Sequence, residues 1–336
     1  MNLDKEKMRV SSYVLLSVSA AAGATTYAVT KLLAKTALDR EAPKVAPAIS
    51  GAMGQMIAGS LVDQGVLTRQ KEAAQRLRAL NLETVVTHAH DGIELVGHWY
   101  PCKDPKRVVI AMHGWRSSWD MGFGLIADFL HDNHCCVLFA EQRGQNSSGG
   151  DYMGLGVTER FDCLQWVHWA TNERALDLPI YLSGVSMGAT TVLMAAGLDL
   201  PKNVHGIVAD CAYTSPEEIG KHIANENLHL AYRLRRKILA SIYEQKNQVK
   251  GFDYSTIDAL ETNPVPVLFI HGTHDQFVPV EMTYQNYIAC TAPKRLLIVP
   301  GAGHGQSYLV EQERYEKTVK DFWADFDGSL SRWPDK

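Results

Sequence analysis

The chain has 336 residues, of which 46% are hydrophobic and 21% are charged, so it can bury one large core. Its formal net charge of −4 gives no extended basic surface for gripping a phosphate backbone, and we expect no nucleic acid partner. Six cysteines are too sparse for a disulfide framework in a chain of this length, so we interpret most of them as buried thiols.

One group of residues has the composition of a metal site: His131, His134, Cys135 and Cys136. The two cysteines open a strand-like apolar run, and adjacent residues of a strand point to opposite faces. Both thiols and both histidines would therefore struggle to converge on one ion. We predict no metal site.

The N-terminal region contains a run of 21 positions without charge, from Val10 to Thr30. This is long enough to span a bilayer, although its many small and hydroxyl-bearing residues make it only moderately apolar. An uncleaved anchor, a cleaved signal peptide and a soluble helix remain open, and we favour the anchor. We therefore predict a single-pass transmembrane helix within residues 1–35 and a location in the cell membrane. Basic residues flank the run equally on both sides, so its orientation stays open.

Residues 36–81 form a polar, alanine-rich connector with a short amphipathic helix over Gln70 to Leu80. From residue 82 to 336 the pattern changes. Two runs flank the turn signal at His90-Asp91-Gly92 and predict a β-hairpin. Six short, continuous apolar runs then alternate with helical stretches, which is typical of a mostly parallel sheet of eight strands buried under helices on both faces. These runs are Val108 to Met112, Cys136 to Ala140, Ile180 to Leu182, Gly206 to Ala209, Val265 to Ile270 and Leu296 to Val299.

The longest interruption of this alternation covers residues 213–263. Leu234, Ile238 and Ile242 recur at four-residue spacing and predict a helix, while Arg233, Arg236 and Lys237 project elsewhere. An insertion at the carboxyl edge of a parallel sheet lies where active sites form. We predict a helical cap whose apolar face covers a cavity.

The strongest chemical signal is Gly184-Val185-Ser186-Met187-Gly188, which lies between a predicted strand and a predicted helix. A sharp strand-to-helix turn strains the backbone, and glycines two positions before and after the serine remove side chains that would clash there. The hydroxyl of Ser186 is then exposed above the sheet. We predict that Ser186 is a nucleophile.

A serine hydroxyl is a weak nucleophile at neutral pH, so an imidazole must accept its proton. His304 lies in the glycine-rich loop after the last predicted strand, where the base of such a site is expected. The orienting acid should follow the preceding strand, where Asp275 lies in His274-Asp275-Gln276. Asp210 is the rival, because this acid sometimes follows the strand before.

Two backbone N–H groups should stabilise the developing negative charge in an oxyanion hole. One belongs to Met187, directly after the nucleophile. The other belongs to Trp115, in the His113-Gly114-Trp115 loop after the first core strand. We expect a structural role for His113, and Trp115 is a candidate wall of the acyl pocket.

From about residue 82 onward the chain resembles the α/β-hydrolase superfamily, and more narrowly the bacterial, N-terminally anchored cell-surface hydrolases related to the serine aminopeptidase-like group. The sequence departs from these relatives at 145–148, where they usually carry a further histidine. The motifs that carry the resemblance are His113-Gly114-Trp115, Glu141-Gln142-Arg143-Gly144, Gly154 to Arg160, the Ser186 pentapeptide, Asp210 to Ser215, His274-Asp275 and Gly303-His304.

The resemblance implies hydrolysis of carboxylic esters without a cofactor. We therefore expect a membrane-tethered esterase that acts on a small acyl ester through a Ser-His-Asp triad. A thioesterase, an amidase or an aminopeptidase with the same residues is the nearest alternative, and an acyltransferase or a non-catalytic binding protein is less favoured. The oligomeric state is left open.

Overall fold

The computed structural model describes residues 23–43, 64–174 and 177–328. Within them, eight strands form a single sheet, and the strands predicted from apolar runs are all present: five are longer than predicted, and the one predicted at Val265 to Ile270 is shifted by two residues. The strands are β1 (Glu83–His88), β2 (Glu94–Tyr100), β3 (Arg107–Met112), β4 (Cys135–Ala140), β5 (Ile180–Val185), β6 (Val204–Asp210), β7 (Val267–Gly272) and β8 (Lys294–Val299).

The order of strands across the sheet is β1-β2-β4-β3-β5-β6-β7-β8. The predicted hairpin β1–β2 is antiparallel, as is the β2–β4 pair, and every later pair is parallel. The parallel register pairs Met112 with Gly184 and Val185 with Asp210. Because parallel strands end at the same edge, the loops after β3, β5, β6, β7 and β8 all open at one side of the sheet.

Helices cover both faces of the sheet, which confirms the predicted α/β-hydrolase architecture. The helices are α1 (23–38), α2 (Gln64–Ala79), α3 (Trp119–Phe123), α4 (Ala127–Asp132), α5 (Glu159–His168), α6 (Met187–Ala195), α7 (Pro216–His222), α8 (Arg236–Asn247), α9 (Thr256–Leu260), α10 (Val280–Ala289), α11 (Ser307–Val310) and α12 (Gln312–Phe326).

Burial on both faces explains the continuous apolar runs. In β3, Val108, Ile110 and Met112 belong to one hydrophobic cluster, together with residues of α5 and α6. The alternating residues Val109 and Ala111 belong to the opposite cluster, together with residues of α3, α4 and α12. Successive strand residues therefore pack into two cores, and no position of β3 is left for a polar surface.

The predicted transmembrane helix is wrong, and so is the predicted single-pass location in the cell membrane. Residues 1–22 lie outside the described residues, and among those described no helix combines the length and apolarity needed to cross a bilayer. The part of the uncharged run that the structure describes, residues 23–30, belongs to α1. This helix buries Thr30, Ala34 and Leu38, at four-residue spacing, and Leu38 packs against Val157 and Met194 of the domain. Its apolar face therefore contacts protein.

The segment between β6 and β7 contains α7, α8 and α9, joined by single turns of π-helix and 3₁₀-helix. The helix predicted from Leu234, Ile238 and Ile242 is present as α8, which begins at Arg236. Leu234 instead ends a 3₁₀ turn, and its side chain is 68% exposed. The face of α8 that lines the neighbouring cavity carries Leu239 and Tyr243, one position beyond the predicted face.

Candidate active site

Ser186 occupies the turn between β5 and α6, with φ 58° and ψ −119°. A positive φ is unfavourable for a residue with a Cβ, so the surrounding structure must hold this conformation in place. The backbone N–H of Ser186 donates a hydrogen bond to the carbonyl of Asp210 at 2.8 Å. The strained turn is thereby fixed to the end of the neighbouring strand.

The two glycines of the pentapeptide allow this turn to pack. A Cβ at Gly188 would lie 1.8 Å from the carbonyl oxygen of Met112, and a Cβ at Gly184 would lie 2.2 Å from that of Gly188. Both distances are far below any real contact, and both partners are backbone atoms that cannot move aside. Only glycine fits at either position, as the sequence pattern predicts.

The three residues predicted as a triad are linked by two consecutive hydrogen bonds. His304 Nε2 is 2.8 Å from Ser186 Oγ, and His304 Nδ1 is 2.7 Å from Asp275 Oδ2. An ionised carboxylate can only accept hydrogen bonds, so Nδ1 carries the proton and donates it to Asp275. In the neutral ring, Nε2 is then the acceptor, positioned to receive the hydroxyl proton of Ser186.

The carboxylate of Asp275 is held from both sides. Its Oδ1 accepts the backbone N–H groups of Phe277 at 2.9 Å and Val278 at 2.8 Å, and its Oδ2 lies 3.2 Å from Nε2 of the buried His271. Burial raises the pKa of Asp275, but the charge of His304 and the hydrogen bonds from His271 and His304 outweigh burial and hold this pKa well below its usual range. Asp275 therefore stays ionised.

His304 lies in an environment that favours its protonated form. Burial lowers the pKa of His304, whereas the neighbouring Cys211 thiol and Asp275 carboxylate raise it, and the net shift is upward. The side chain remains 29% exposed, so protons can exchange with solvent. A base with a raised pKa accepts a proton from a serine hydroxyl more readily.

The rival acid, Asp210, has another partner. Its Oδ1 accepts a hydrogen bond from the hydroxyl of Ser307 at 3.0 Å, and burial raises its pKa to about 6. Its backbone carbonyl holds Ser186 in place, as described above. The geometry therefore places Asp275 beside the histidine and gives Asp210 a supporting position under the serine turn.

The loop after β3 passes directly over Ser186. A Cβ at Gly114 would lie 3.4 Å from the Cβ of Ser186, so the backbone of this loop is close enough to offer the N–H of Trp115. On the other side, Met187 begins α6, and the first N–H groups of a helix have no acceptor within the helix. Trp115 and Met187 thus directly follow Gly114 and Ser186, which contact each other, and their role as oxyanion donors stays a prediction.

The Trp115 loop is held by the buried His113 of the same loop and by the segment after β4. His113 is fully buried; its Nδ1 bonds the carbonyl of Gly114 at 2.8 Å, and its Nε2 accepts the backbone N–H of Gln142 at 3.2 Å. Burial lowers the pKa of His113, so the ring is neutral. At the positions where the sequence departs from its relatives, Gln145 Oε1 accepts the backbone N–H of Arg116 at 2.6 Å.

An apolar cavity of about 140 Å³ opens at Ser186. Its walls come from three regions: the C-terminal half of α1, the segment between β6 and β7, and the loops that carry Trp115 and Phe277. Among the described residues that line it, only Arg235 carries a charge. A cavity of this character takes an apolar group and orients it with few polar contacts.

The end of α1 is fastened to the Trp115 loop. The indole Nε1 of Trp115 donates to the carbonyl of Ala37 at 2.9 Å, and the guanidinium of Arg116 donates to the carbonyls of Thr36 and Asp39 at 2.8 and 2.6 Å. A cation that receives the last carbonyls of a helix also stabilises the negative end of the helix dipole. The segment interpreted as an anchor therefore forms part of the cavity wall.

Three side chains of the site have the composition of a metal centre: Cys211, Asp275 and His304 offer atoms within 4.8 Å of one another. Both ring nitrogens of His304 are already engaged, by Asp275 and by Ser186. A metal ion would have to displace one of these hydrogen bonds, so the same residues cannot serve both arrangements at once. In the cluster predicted not to bind metal, Cys136 Sγ lies 3.1 Å from Cys102 Sγ, and His131 Nε2 bonds the carbonyl of Pro101 at 3.3 Å.

Arg235 and the α1 residues were not predicted from the sequence to be part of the site. The α1 residues gave no signal, because an alternation of small and apolar residues fits a lipid-facing helix as well as a cavity wall. Arg235 did give a signal in the sequence. It lies four positions before Leu239 and eight before Tyr243, so it shares their apolar face of the helix.

Comparison with known proteins places the chain in a family. The profile of the prolyl oligopeptidase family matches residues 121–328, which is more than half of the chain. An uncharacterized protein of Bacillus subtilis, YqkD, is 28% identical over 244 residues, covering 69% of this chain and 75% of the relative. An uncharacterized protein of Escherichia coli K12, YfhR, is 22% identical over 252 residues, covering 73% and 80%.

Solved structures share the fold. The esterase Pf2001 of Pyrococcus furiosus superimposes with a TM-score of 0.61 at 23% identity, covering 75% of this chain and 95% of the esterase. Est1E of Butyrivibrio proteoclasticus, solved with ferulic acid, gives a TM-score of 0.57 at 20% identity, covering 73% and 100%. The protein is therefore a hydrolase-type enzyme of the α/β-hydrolase fold that belongs to the prolyl oligopeptidase family.

Proposed function

We propose that the protein is a serine hydrolase that cleaves carboxylic esters through an acyl-enzyme intermediate. The observation that carries this proposal is the pair of hydrogen bonds that links Ser186 to His304 at 2.8 Å and His304 to Asp275 at 2.7 Å. The strained position of Ser186 at the mouth of an apolar cavity supports it. The narrower resemblance to cell-surface hydrolases stays a prediction.

In the proposed cycle, Ser186 Oγ attacks the acyl carbonyl while His304 Nε2 takes the hydroxyl proton. Asp275 stabilises the resulting imidazolium, and the N–H groups of Trp115 and Met187 donate to the oxyanion. The tetrahedral intermediate collapses as His304 gives the proton to the leaving alcohol. Water then loses a proton to His304 and attacks the acyl-enzyme, and His304 returns this proton to Ser186 Oγ as the carbonyl carbon–Oγ bond breaks and the acid leaves.

The lining of the cavity favours an ester over an aminopeptidase substrate. An aminopeptidase must recognise a protonated α-amino group, which calls for a carboxylate in the binding site. Among the described residues that line the cavity, the one charged side chain is a cation. A thioesterase and an amidase use the same residues and remain the alternatives to an esterase, and an acyltransferase would keep the triad but exclude water.

The test compares turnover of p-nitrophenyl esters, a thioester of the same acyl group and an aminoacyl p-nitroanilide by purified wild type and Ser186→Ala. We expect ester turnover to exceed the others and to fall by about 10⁴-fold in Ser186→Ala. Ser183→Ala, in β5 three residues earlier, is the matched control and should keep its activity. Wild-type rates in Ser186→Ala would refute the mechanism. Transfer of the acyl group to an added alcohol in preference to water would identify an acyltransferase.

A further inference from the structure

Arg235 is the one charge that the described residues place in the cavity wall, and it is only 8% exposed. It lies between the 3₁₀ turn Tyr232–Leu234 and α8. The neighbouring basic residues Arg233 and Arg236 are exposed, as expected for cations at a surface, and Arg236 pairs with Glu217. Of these three arginines, only Arg235 is buried.

No counter-ion accompanies this guanidinium within the described residues. Its Nη1 donates to the carbonyl of Ala231 at 2.8 Å, while its Nε is buried without a hydrogen-bond partner. A buried charge without a partner is unfavourable, and a neutral donor could satisfy Ala231 equally well. The positive end of the α8 dipole makes a cation at this position still less favourable. The described residues therefore give Arg235 a carbonyl partner but no partner for its charge.

A second donor lies in the same turn. The hydroxyl of Tyr232 is buried without a partner, and its side chain lines the same cavity. Burial, followed by the charges of Glu217 and Glu218, raises the pKa of Tyr232, so the hydroxyl keeps its proton and can donate. The backbone N–H of Arg235 donates to the carbonyl of Tyr232 at 2.8 Å, which fixes the two backbones relative to each other, and both residues line the cavity.

We propose that Arg235 and Tyr232 form a subsite for a carboxylate at the end of the substrate remote from the scissile ester. This rests on the proposed function for the position of the ester at Ser186. A single guanidinium balances a single negative charge, and its planar fork matches a carboxylate. A phosphate dianion would leave a second charge uncompensated in an apolar cavity.

The size of the cavity limits the chain between the two ends. Its volume of about 140 Å³ is close to that of a cavity of about 150 Å³ that holds one benzene ring. A chain of roughly six carbon atoms therefore fits the cavity, counted from the acyl carbon beside Ser186 to the carbon of the bound carboxylate. The substrate class that meets both conditions is a monoester of a short dicarboxylic acid.

Binding to the Ser186→Ala protein tests this subsite without any need for turnover. Monomethyl adipate and methyl hexanoate have the same chain and differ only in a terminal carboxylate or methyl group. By titration calorimetry we expect monomethyl adipate to bind about 10- to 100-fold more tightly, because hydrogen bonds to a charged group are among the stronger ones. Adding Arg235→Met should abolish this preference, and adding Tyr232→Phe should reduce it severalfold.

Matched variants separate recognition from folding. Arg233→Met removes an exposed arginine two positions away and should leave the preference unchanged. Arg235→Lys keeps the charge without the planar fork and should retain part of the preference, which supplies a test if Arg235→Met lowers the melting temperature. Equal affinity for both esters, or a preference that survives Arg235→Met in a folded protein, would overturn the proposal.

A phosphonate of the same chain length that binds more tightly than adipate would overturn the choice of a carboxylate. Failure of the proposed function gives a different result from failure of the subsite. If wild type hydrolyses no ester but Ser186→Ala still prefers adipate through Arg235, the subsite stands and the catalytic proposal fails. If wild type hydrolyses esters without any preference for the anion, the subsite fails alone.

Discussion

Replacing Asp275 by asparagine tests the proposed triad at its acid. In the native site, Oδ1 of Asp275 accepts two backbone N–H groups and Oδ2 accepts Nδ1 of His304. An asparagine must keep its oxygen on the two N–H groups, because an amide NH₂ there would face two donors. Its NH₂ group would then point at His304.

This orientation forces the wrong tautomer on the histidine. Facing a donor, Nδ1 of His304 becomes an acceptor and the ring proton moves to Nε2, which can no longer accept the proton of Ser186. A change of this kind in a serine triad lowers kcat by about 10⁴-fold. At about 1.36 kcal/mol for each factor of ten, the loss corresponds to about 5.4 kcal/mol of transition-state stabilisation. The volume of the side chain is unchanged, so packing is preserved.

The assay is kcat/KM for p-nitrophenyl hexanoate together with the melting temperature of each variant. Asp210→Asn is the matched control, because an asparagine oxygen can still accept the hydroxyl of Ser307. We expect Asp210→Asn to lose no more than about tenfold in activity, since it is not bonded to the histidine. The reverse ranking at equal thermal stability would transfer the orienting role to Asp210 and refute the reasoning.

Three further predictions concern the base and the cavity. Because His304 must be neutral to act and its pKa is raised, kcat/KM should increase with pH through a midpoint above the ordinary value of about 6.5, and a midpoint below that value in a pH–rate profile would contradict the assignment. Ala34→Phe should fill the cavity, so that kcat/KM falls for the hexanoate ester but not for the acetate ester. Lys35→Phe, on the exposed side of α1, is the control and should leave kcat/KM for both esters unchanged. Equal effects of the two variants would show that α1 does not shape the cavity. Leu239→Ala should lower the ratio of kcat/KM between hexanoate and acetate esters by roughly tenfold, whereas Leu234→Ala should not; equal ratios in both would separate α8 from acyl selection.

The elements around Ser186 were predictable from the sequence because the local requirements are severe. A serine at positive φ between a strand and a helix tolerates only glycine at Gly184 and Gly188, and this leaves a recognisable pattern. The continuous apolar runs of the sheet follow from burial on both faces in the same way. Strand order then brings the loops that carry Asp275 and His304 to the same edge.

The role of α1 was not predictable, because an uncharged run indicates burial without indicating what covers it. The apolar side of α1 meets the residues around Val157 and Tyr243, which are more than 100 positions away in sequence. Hydropathy along a window cannot distinguish that surface from lipid. Hydrogen bonds from Trp115 and Arg116 to backbone carbonyls of α1 are equally invisible, since any residue supplies a carbonyl.

The face of α8 was displaced by one position for a geometric reason. The four-residue spacing was counted from Leu234, but that residue belongs to a 3₁₀ turn with three residues per turn, and the α-helix begins only at Arg236. The angular position of side chains around the helix axis therefore shifts between the 3₁₀ turn and α8. Counting from Leu239 and Tyr243 places Arg235 on the cavity side, and a charged residue on an apolar face is the kind of exception that marks a functional position.

Covalent labelling of Ser186 is the most direct test of the central claim. A fluorophosphonate probe reacts with a serine whose hydroxyl is activated by a neighbouring base, and peptide mass spectrometry locates the adduct. We expect one adduct, on Ser186 of the folded protein, that disappears on heat denaturation and in His304→Ala. Labelling of another residue, or labelling of Ser186 that persists undiminished in His304→Ala, would contradict the account.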